Sequence, residues 1–265
     1  MTRIDEAFTC ERRKGALVLV AYLTAGHPCA DETAHLVAAA VDGGADVIEL
    51  GVPFSDPIGD GPVIQASSQA ALAAGMTVGR ALGVVAGIRH AGITTPIALM
   101  GYCNPFLQYG INGLVRDAAA AGVDAFVVPD LPPHEADAWL EPCRAAGLDM
   151  VFFAAPDSRP ERLAYTAGRG SGFLYCLSRD GVTGAQKTLD PRLLDHLGRL
   201  RQLTTLPLAV GFGISQAHHV RALRQHADAV IVGSAIVQRV AQAESRPERC
   251  SAVRDLVAEL KAACR

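Results

Sequence analysis

Eight short apolar runs, evenly spaced and each followed by a helix-like stretch, constrain the fold of this chain more than any other feature. They cover residues 16–21, 46–51, 96–101, 124–129, 149–154, 172–177, 207–211 and 228–233. Each is nearly continuous in Val, Ile, Leu, Phe and Ala, as expected of parallel strands buried on both faces. Ala-rich helical patterns lie between them, over 31–42, 78–90, 111–121 and 215–225 among others, with Asp31 and Ser215 as the expected N-caps. Gly44-Ala-Asp46, Gly122-Val-Asp124 and Gly147-Leu-Asp149 repeat one signal, a glycine that closes a helix and an aspartate that enters the next strand. Eight β–α units in 265 residues predict an α/β protein, a closed (β/α)8 TIM barrel. The alternative is a doubly wound open sheet. That architecture rarely spaces eight strands so evenly, and its Gly-x-Gly-x-x-Gly turn is missing after the first strand. No linker divides the chain, so residues 1–265 read as one domain. Residues 2–14 are expected to add a helix near the barrel's bottom, and residues 63–74 one after the second strand.

Composition narrows the function. Half of the residues are hydrophobic and 19% are charged, enough apolar surface for a large core. A net charge of −3 gives no electrostatic case for nucleic acid or an anionic membrane. No apolar run reaches the ~18 residues needed to span a bilayer. The first residues, Met-Thr-Arg-Ile-Asp-Glu, carry no apolar signal core. Seven cysteines, an odd number without a C-x-x-C pair, read as reduced thiols in a cytoplasmic protein.

In such a barrel the active site lies at the C-terminal ends of the strands. The second strand, Val47-Ile48, ends on a carboxylate, Glu49, and a Pro- and Gly-rich loop then carries Asp56 and Asp60. Two acids held in different environments suit acid–base chemistry. The plainer readings are a structural acid paired with an arginine for Glu49 and an ordinary Asp-Gly turn for Asp60. Asp56, in Ser-Asp-Pro, reads as a loop-structuring or interface residue. The other strand ends carry Tyr22 and Thr24, Met100 and Tyr102, Val127 and Asp130, Phe153, Tyr175 and Phe212. This mouth suits a ligand with a flat apolar part. Lys14, Lys187 and Lys261 are the only lysines and none ends a strand, so a Schiff base has no amine. Only His27 falls near a strand's end, and the adjacent His218 and His219 lie on a predicted helix, so neither a metal nor a cofactor is expected.

Glycines mark an anion site. Gly181-Val-Thr-Gly184, Gly211-Phe-Gly213-Ile-Ser215 and Gly233-Ser234 follow the last three strands, and a helix opens at Ser234. Barrels commonly bind phosphate there, although glycines also serve plain tight turns. The polar, Gly-hinged loop 178–189 reads as a lid over the pocket or as a simple surface loop.

Taken together, Glu49-Leu-Gly-Val-Pro-Phe-Ser-Asp56-Pro, Asp60-Gly-Pro, the stretch 175–184, Gly211-Phe-Gly-Ile-Ser215 and Gly233-Ser-Ala-Ile236 resemble the α subunit of tryptophan synthase, over the whole chain. The resemblance implies a lyase of tryptophan biosynthesis that cleaves indole-3-glycerol phosphate to indole and glyceraldehyde 3-phosphate by a retro-aldol reaction. By this likeness Glu49 is the general acid–base, Asp60 meets the indole N–H, and Tyr175 places Glu49 or the glycerol hydroxyl. Tyr22, Ile64, Met100, Val127, Phe153, Phe212 and Ile231 would hold the indole. Gly184, Gly213, Gly233 and Ser234 would bind phosphate, and Thr183 would meet Asp60 on closure. The implied partner is a pyridoxal-phosphate β subunit in an α2β2 complex, met by residues 53–60, 104–105 and 129–132. Some relatives act alone and release free indole, and a non-catalytic regulatory subunit is a third reading. Ile58-Gly59, Asp180 and Tyr22 depart from the family's commoner residues, and none of the three removes a catalytic group.

Overall fold

The computed structural model describes residues 1–177, 191–211 and 213–265. Along the chain run α1 (Arg3–Arg13), β1 (Val18–Thr24), α2 (Thr33–Asp42), β2 (Val47–Gly51), α3 (Pro62–Ala73), α4 (Val78–His90), β3 (Ile97–Met100), α5 (Cys103–Tyr109), α6 (Ile111–Ala121) and β4 (Ala125–Val127). There follow α7 (Asp137–Ala146), β5 (Asp149–Ala154), α8 (Pro160–Arg169), β6 (Leu174–Leu177), α9 (Pro191–Leu203), β7 (Leu208–Gly211), α10 (Ala217–Leu223), β8 (Ala229–Val232), α11 (Ser234–Gln242) and α12 (Arg246–Cys264). The strands are parallel and close in order, β8 pairing back onto β1. The expected TIM barrel is present. No single helix among the described residues is long and apolar enough to cross a membrane.

Burial on both faces explains the unbroken apolar runs. Along β1, Val18, Val20 and Tyr22 join the cluster inside the barrel, while Leu19, Ala21 and Leu23 join the layer between strands and helices. This period of two is hidden in the sequence because both faces are apolar.

Aspartates at the strand starts hold the bottom together. Asp46, Asp124 and Asp228 accept the amides of Leu19, Ile97 and Leu208, one from each preceding strand, at 2.7, 2.7 and 2.8 Å. Helix α1 is capped by Thr2 in a capping box with Asp5 and closes this end. Ile4 and Phe8 enter the barrel, Arg3 pairs with Asp124 at 2.6 Å, and Thr2 donates to Asp149 at 2.9 Å. Lys261 of α12 bridges Glu11 and Asp46 at 2.7 and 2.6 Å.

Two expected caps are corrected. Asp31 lies in a short 3-10 turn, Ala30–Glu32, and α2 starts at Thr33 without a side-chain cap. There the Thr33 hydroxyl accepts the Gly26 amide instead. Ser215 stops two residues short of α10, whose N-cap is Gln216. Gly122 and Gly147 do adopt the left-handed conformation that ends α6 and α7.

Candidate active site

Glu49 is the last side chain to point inward from β2, one inward position before Gly51, in register with Tyr22 of β1 and Ala98 of β3. It is 2% exposed, and neither carboxyl oxygen has a hydrogen-bond partner among the described residues. An ionised carboxylate in that position lacks both water and a donor, which is costly. Burial, reinforced by the nearby charge of Asp60, pushes its pKa up to about 8.

Asp60 arrives on the loop between β2 and α3. Pro62 starts α3, and Gln65 on its first turn donates to the Asp60 carbonyl at 2.7 Å. The Tyr102 hydroxyl, just past β3, accepts the Gly59 amide at 3.1 Å and lies within hydrogen-bonding reach of the Asp60 carboxyl. Phe54 packs on the Tyr102 ring with centroids 5.4 Å apart. Burial raises the Asp60 pKa to about 6, and the Tyr102 hydroxyl restrains the rise. The two acids are therefore split. At neutral pH Glu49 carries its proton and Asp60 is ionised, the division of labour that acid–base catalysis needs.

Two tyrosines flank the pair, each lodged over a glycine of the next strand. A Cβ at Gly51 would strike the Tyr22 hydroxyl, and one at Gly211 would lie 2.5 Å from that of Tyr175. These glycines leave room for the rings. Tyr175 is fully buried, its hydroxyl is held neutral by that burial and by the Glu49 charge, and Phe153 stacks on its ring at 4.5 Å.

These groups line a cleft at the C-terminal ends of the strands. Tyr22, Glu49, Asp60, Ile64, Met100, Tyr175 and Ile231 surround its inner part. Gly213, Ile214 and Ser215 after β7, with Gly233, Ser234 and Ala235 at the start of α11, form its other end. The amides of Ser234 and Ala235 have no carbonyl of their own helix to bond, and the helix dipole adds positive potential there. That end fits a phosphate.

Val127 and Phe153, expected beside the indole, stand behind the residues that line this cleft. Val127 is completely buried inside the barrel; its register partner Met100 has the longer side chain, and that one reaches the cleft. Phe153 instead backs Tyr175. Phe212, Thr183, Gly184 and the loop 178–189 lie outside the described residues. Conversely, Tyr102 was legible only as a strand-end residue, and its bond to the Asp60 loop spans 43 positions. Ile214 and Ala235 sit inside motifs already marked by their glycines.

Fold and site together define a barrel of the enzyme type, with a split carboxyl pair beside a helix start, an arrangement suited to acid–base chemistry on an anionic ligand. The model of the family "Tryptophan synthase alpha chain" matches residues 8–265. The tryptophan synthase alpha chain of Roseiflexus castenholzii is 48% identical over 242 residues, covering 91% of this chain and 93% of the relative. That of Methylococcus capsulatus is 43% identical over 264 residues, 99% of each. A chain of Mycobacterium tuberculosis tryptophan synthase superposes with a TM-score of 0.91 at 38% identity, covering 100% of this chain and 98% of that one. The alpha chain from Legionella pneumophila gives 0.90 at 33% identity, with 100% and 97% covered. The chain belongs to the tryptophan synthase alpha chain family. It is a carbon–carbon lyase of tryptophan biosynthesis, cleaving indole-3-glycerol phosphate to indole and glyceraldehyde 3-phosphate.

Proposed function

We propose that Glu49 and Asp60 carry out this cleavage as a general acid–base and a charge-stabilising partner. The observation that supports it is the split pair, one acid neutral and one ionised at pH 7. Glu49 gives its proton to C3 of the indole ring, and the positive charge that results falls on the ring nitrogen, facing Asp60. The Glu49 carboxylate then takes the proton of the adjacent side-chain hydroxyl. The C–C bond breaks, its electron pair returns to the ring, and the hydroxyl carbon becomes the aldehyde. Glu49 ends the cycle protonated, as it began. Tyr175 positions Glu49 or the glycerol hydroxyl. Tyr22, Ile64, Met100 and Ile231 hold the ring, and Gly213, Gly233 and Ser234 hold the phosphate. Phe212, Thr183 and Gly184 complete the site by the family likeness.

The reading extends to a partner. Ile58 and Leu107 are large apolar side chains left 76% and 53% exposed, on the Asp60 loop and on α5. They fall at or beside residues 53–60 and 104–105, so a tryptophan synthase β subunit is the proposed occupant of this face. One domain over residues 1–265 and a cytoplasmic setting complete the reading, the latter supported by seven free cysteines. Indole release by the purified chain, with and without a β subunit, tests it. Release strengthened by the β subunit is expected. Full activity of the chain alone removes the partner from the account, and no release under either condition removes the lyase roles.

A further inference from the structure

Among the described residues that line the cleft, two bury side-chain oxygens without a hydrogen-bond partner, Glu49 and Ser215. They belong to its two ends. Glu49 lies in the inner part, and Ser215 follows Gly213 and Ile214 at the end shared with the start of α11. A buried hydroxyl without a partner is costly and calls for an explanation. Capping does not supply one, because α10 has Gln216 as its N-cap and no side-chain cap.

The hydroxyl is the group that Ser215 has left to offer. Its amide donates to Nδ1 of His219, in the first turn of α10, at 3.4 Å. His219 is 1% exposed, so this contact ties the segment after β7 to the body of the protein. The cleft is also poor in positive charge: no arginine or lysine lines it among the described residues. A phosphate at this end depends on neutral donors, main-chain amides and hydroxyls. Ser215 Oγ breaks no hydrogen bond on turning, and rotation about Cα–Cβ carries it from one staggered position to another.

We propose that Ser215 is a further ligand-binding residue: its hydroxyl turns into the cleft when a phosphate monoester enters and donates to a phosphate oxygen. This deepens, and rests on, the reading of that end as the phosphate site. Ser215 and Glu49 are then the same kind of group, each buried without a partner in the free protein because its partner is the ligand. The contact is made alike in ground state and transition state, so it acts on affinity and leaves the chemical step alone.

The test compares Ser215→Ala with wild type, using glycerol 3-phosphate and indole as separate calorimetric probes, thermal melts of the free proteins, and kinetics on indole-3-glycerol phosphate. Ser215→Ala is expected to bind glycerol 3-phosphate about tenfold more weakly, the scale of one hydrogen bond to a charged group, and to bind indole as wild type does. KM should rise about tenfold with kcat within about twofold. The free variant should melt no lower than wild type, since the hydroxyl it loses had no partner. Equal affinity of the two proteins for glycerol 3-phosphate overturns the proposal. So does a free variant that melts below wild type, or a loss of affinity shared equally by indole, because either result gives the hydroxyl a structural role. A wild-type protein that binds indole and no glycerol 3-phosphate defeats the underlying reading of this end as a phosphate site, and the role of Ser215 falls with it.

Discussion

The ring of Tyr175 occupies the space that a side chain at Gly211 would fill, an added Cβ there lying 2.5 Å from the Tyr175 hydroxyl. Neither residue can change alone. Gly211→Ala must push the ring toward Glu49 or off Phe153. A displacement of about 1 Å at a catalytic group is enough to lower kcat/KM by roughly 10²-fold. Steady-state kinetics with a thermal melt check this. A variant with the wild-type rate would show that the close fit has no role in catalysis.

The split pair fixes the pH dependence. In the proposed roles Asp60 is ionised and Glu49 protonated, and burial raises their pKa values to about 6 and about 8. The profile of kcat/KM is therefore a bell, falling on the acid side as Asp60 takes a proton and on the alkaline side as Glu49 loses one. Asp60→Asn is expected to remove the acid limb and to lower kcat by about 10²–10³, the usual loss for one group that stabilises developing charge.

The same shift affects stability. The folded-state pKa of Glu49 lies above its unfolded value, so between about 4.5 and 8 the folded protein holds a proton that the unfolded chain has released. Its contribution is present in full below 4.5 and is lost as pH rises through 8. The slope is at most ~1.4 kcal/mol per pH unit. Glu49→Gln carries no such term. Denaturant melts at pH 5 and pH 8 should show wild type losing more stability than Glu49→Gln across this interval, and parallel losses would contradict the raised value.

Lys261 isolates stability from catalysis. It is 8% exposed and holds Glu11 and Asp46 together at the end of the barrel opposite the cleft. Lys261→Met leaves the buried Asp46 without its cation and takes from Glu11 one of two, Lys14 remaining at 2.6 Å, a loss of about 3 kcal/mol. Chemical denaturation should show this cost, and kcat/KM of the folded fraction should be unchanged.

Much of this protein was legible because local signals agreed. Eight apolar runs with helices between them fit only a few folds, and an acid at the end of an apolar strand marks Glu49 at once. What stayed hidden depends on contacts between distant residues. Nothing local in Tyr102 reveals that it braces the Asp60 loop, and nothing near Thr24 announces Ser67, 43 positions away. Val127 and Met100 share an inward register, and side-chain length decides which one reaches the cleft. Asp31 and Ser215 have the chemistry of caps, and backbone geometry at the helix starts passed both over.

The role of Glu49 is most directly tested by indole release from Glu49→Gln in the presence of a β subunit, with substrate affinity measured in parallel. Glutamine keeps the shape and cannot cycle a proton. The expected result is a kcat at least ~10³-fold below wild type with substrate binding nearly unchanged. Turnover within about tenfold of wild type would contradict the assignment of Glu49 as the acid–base.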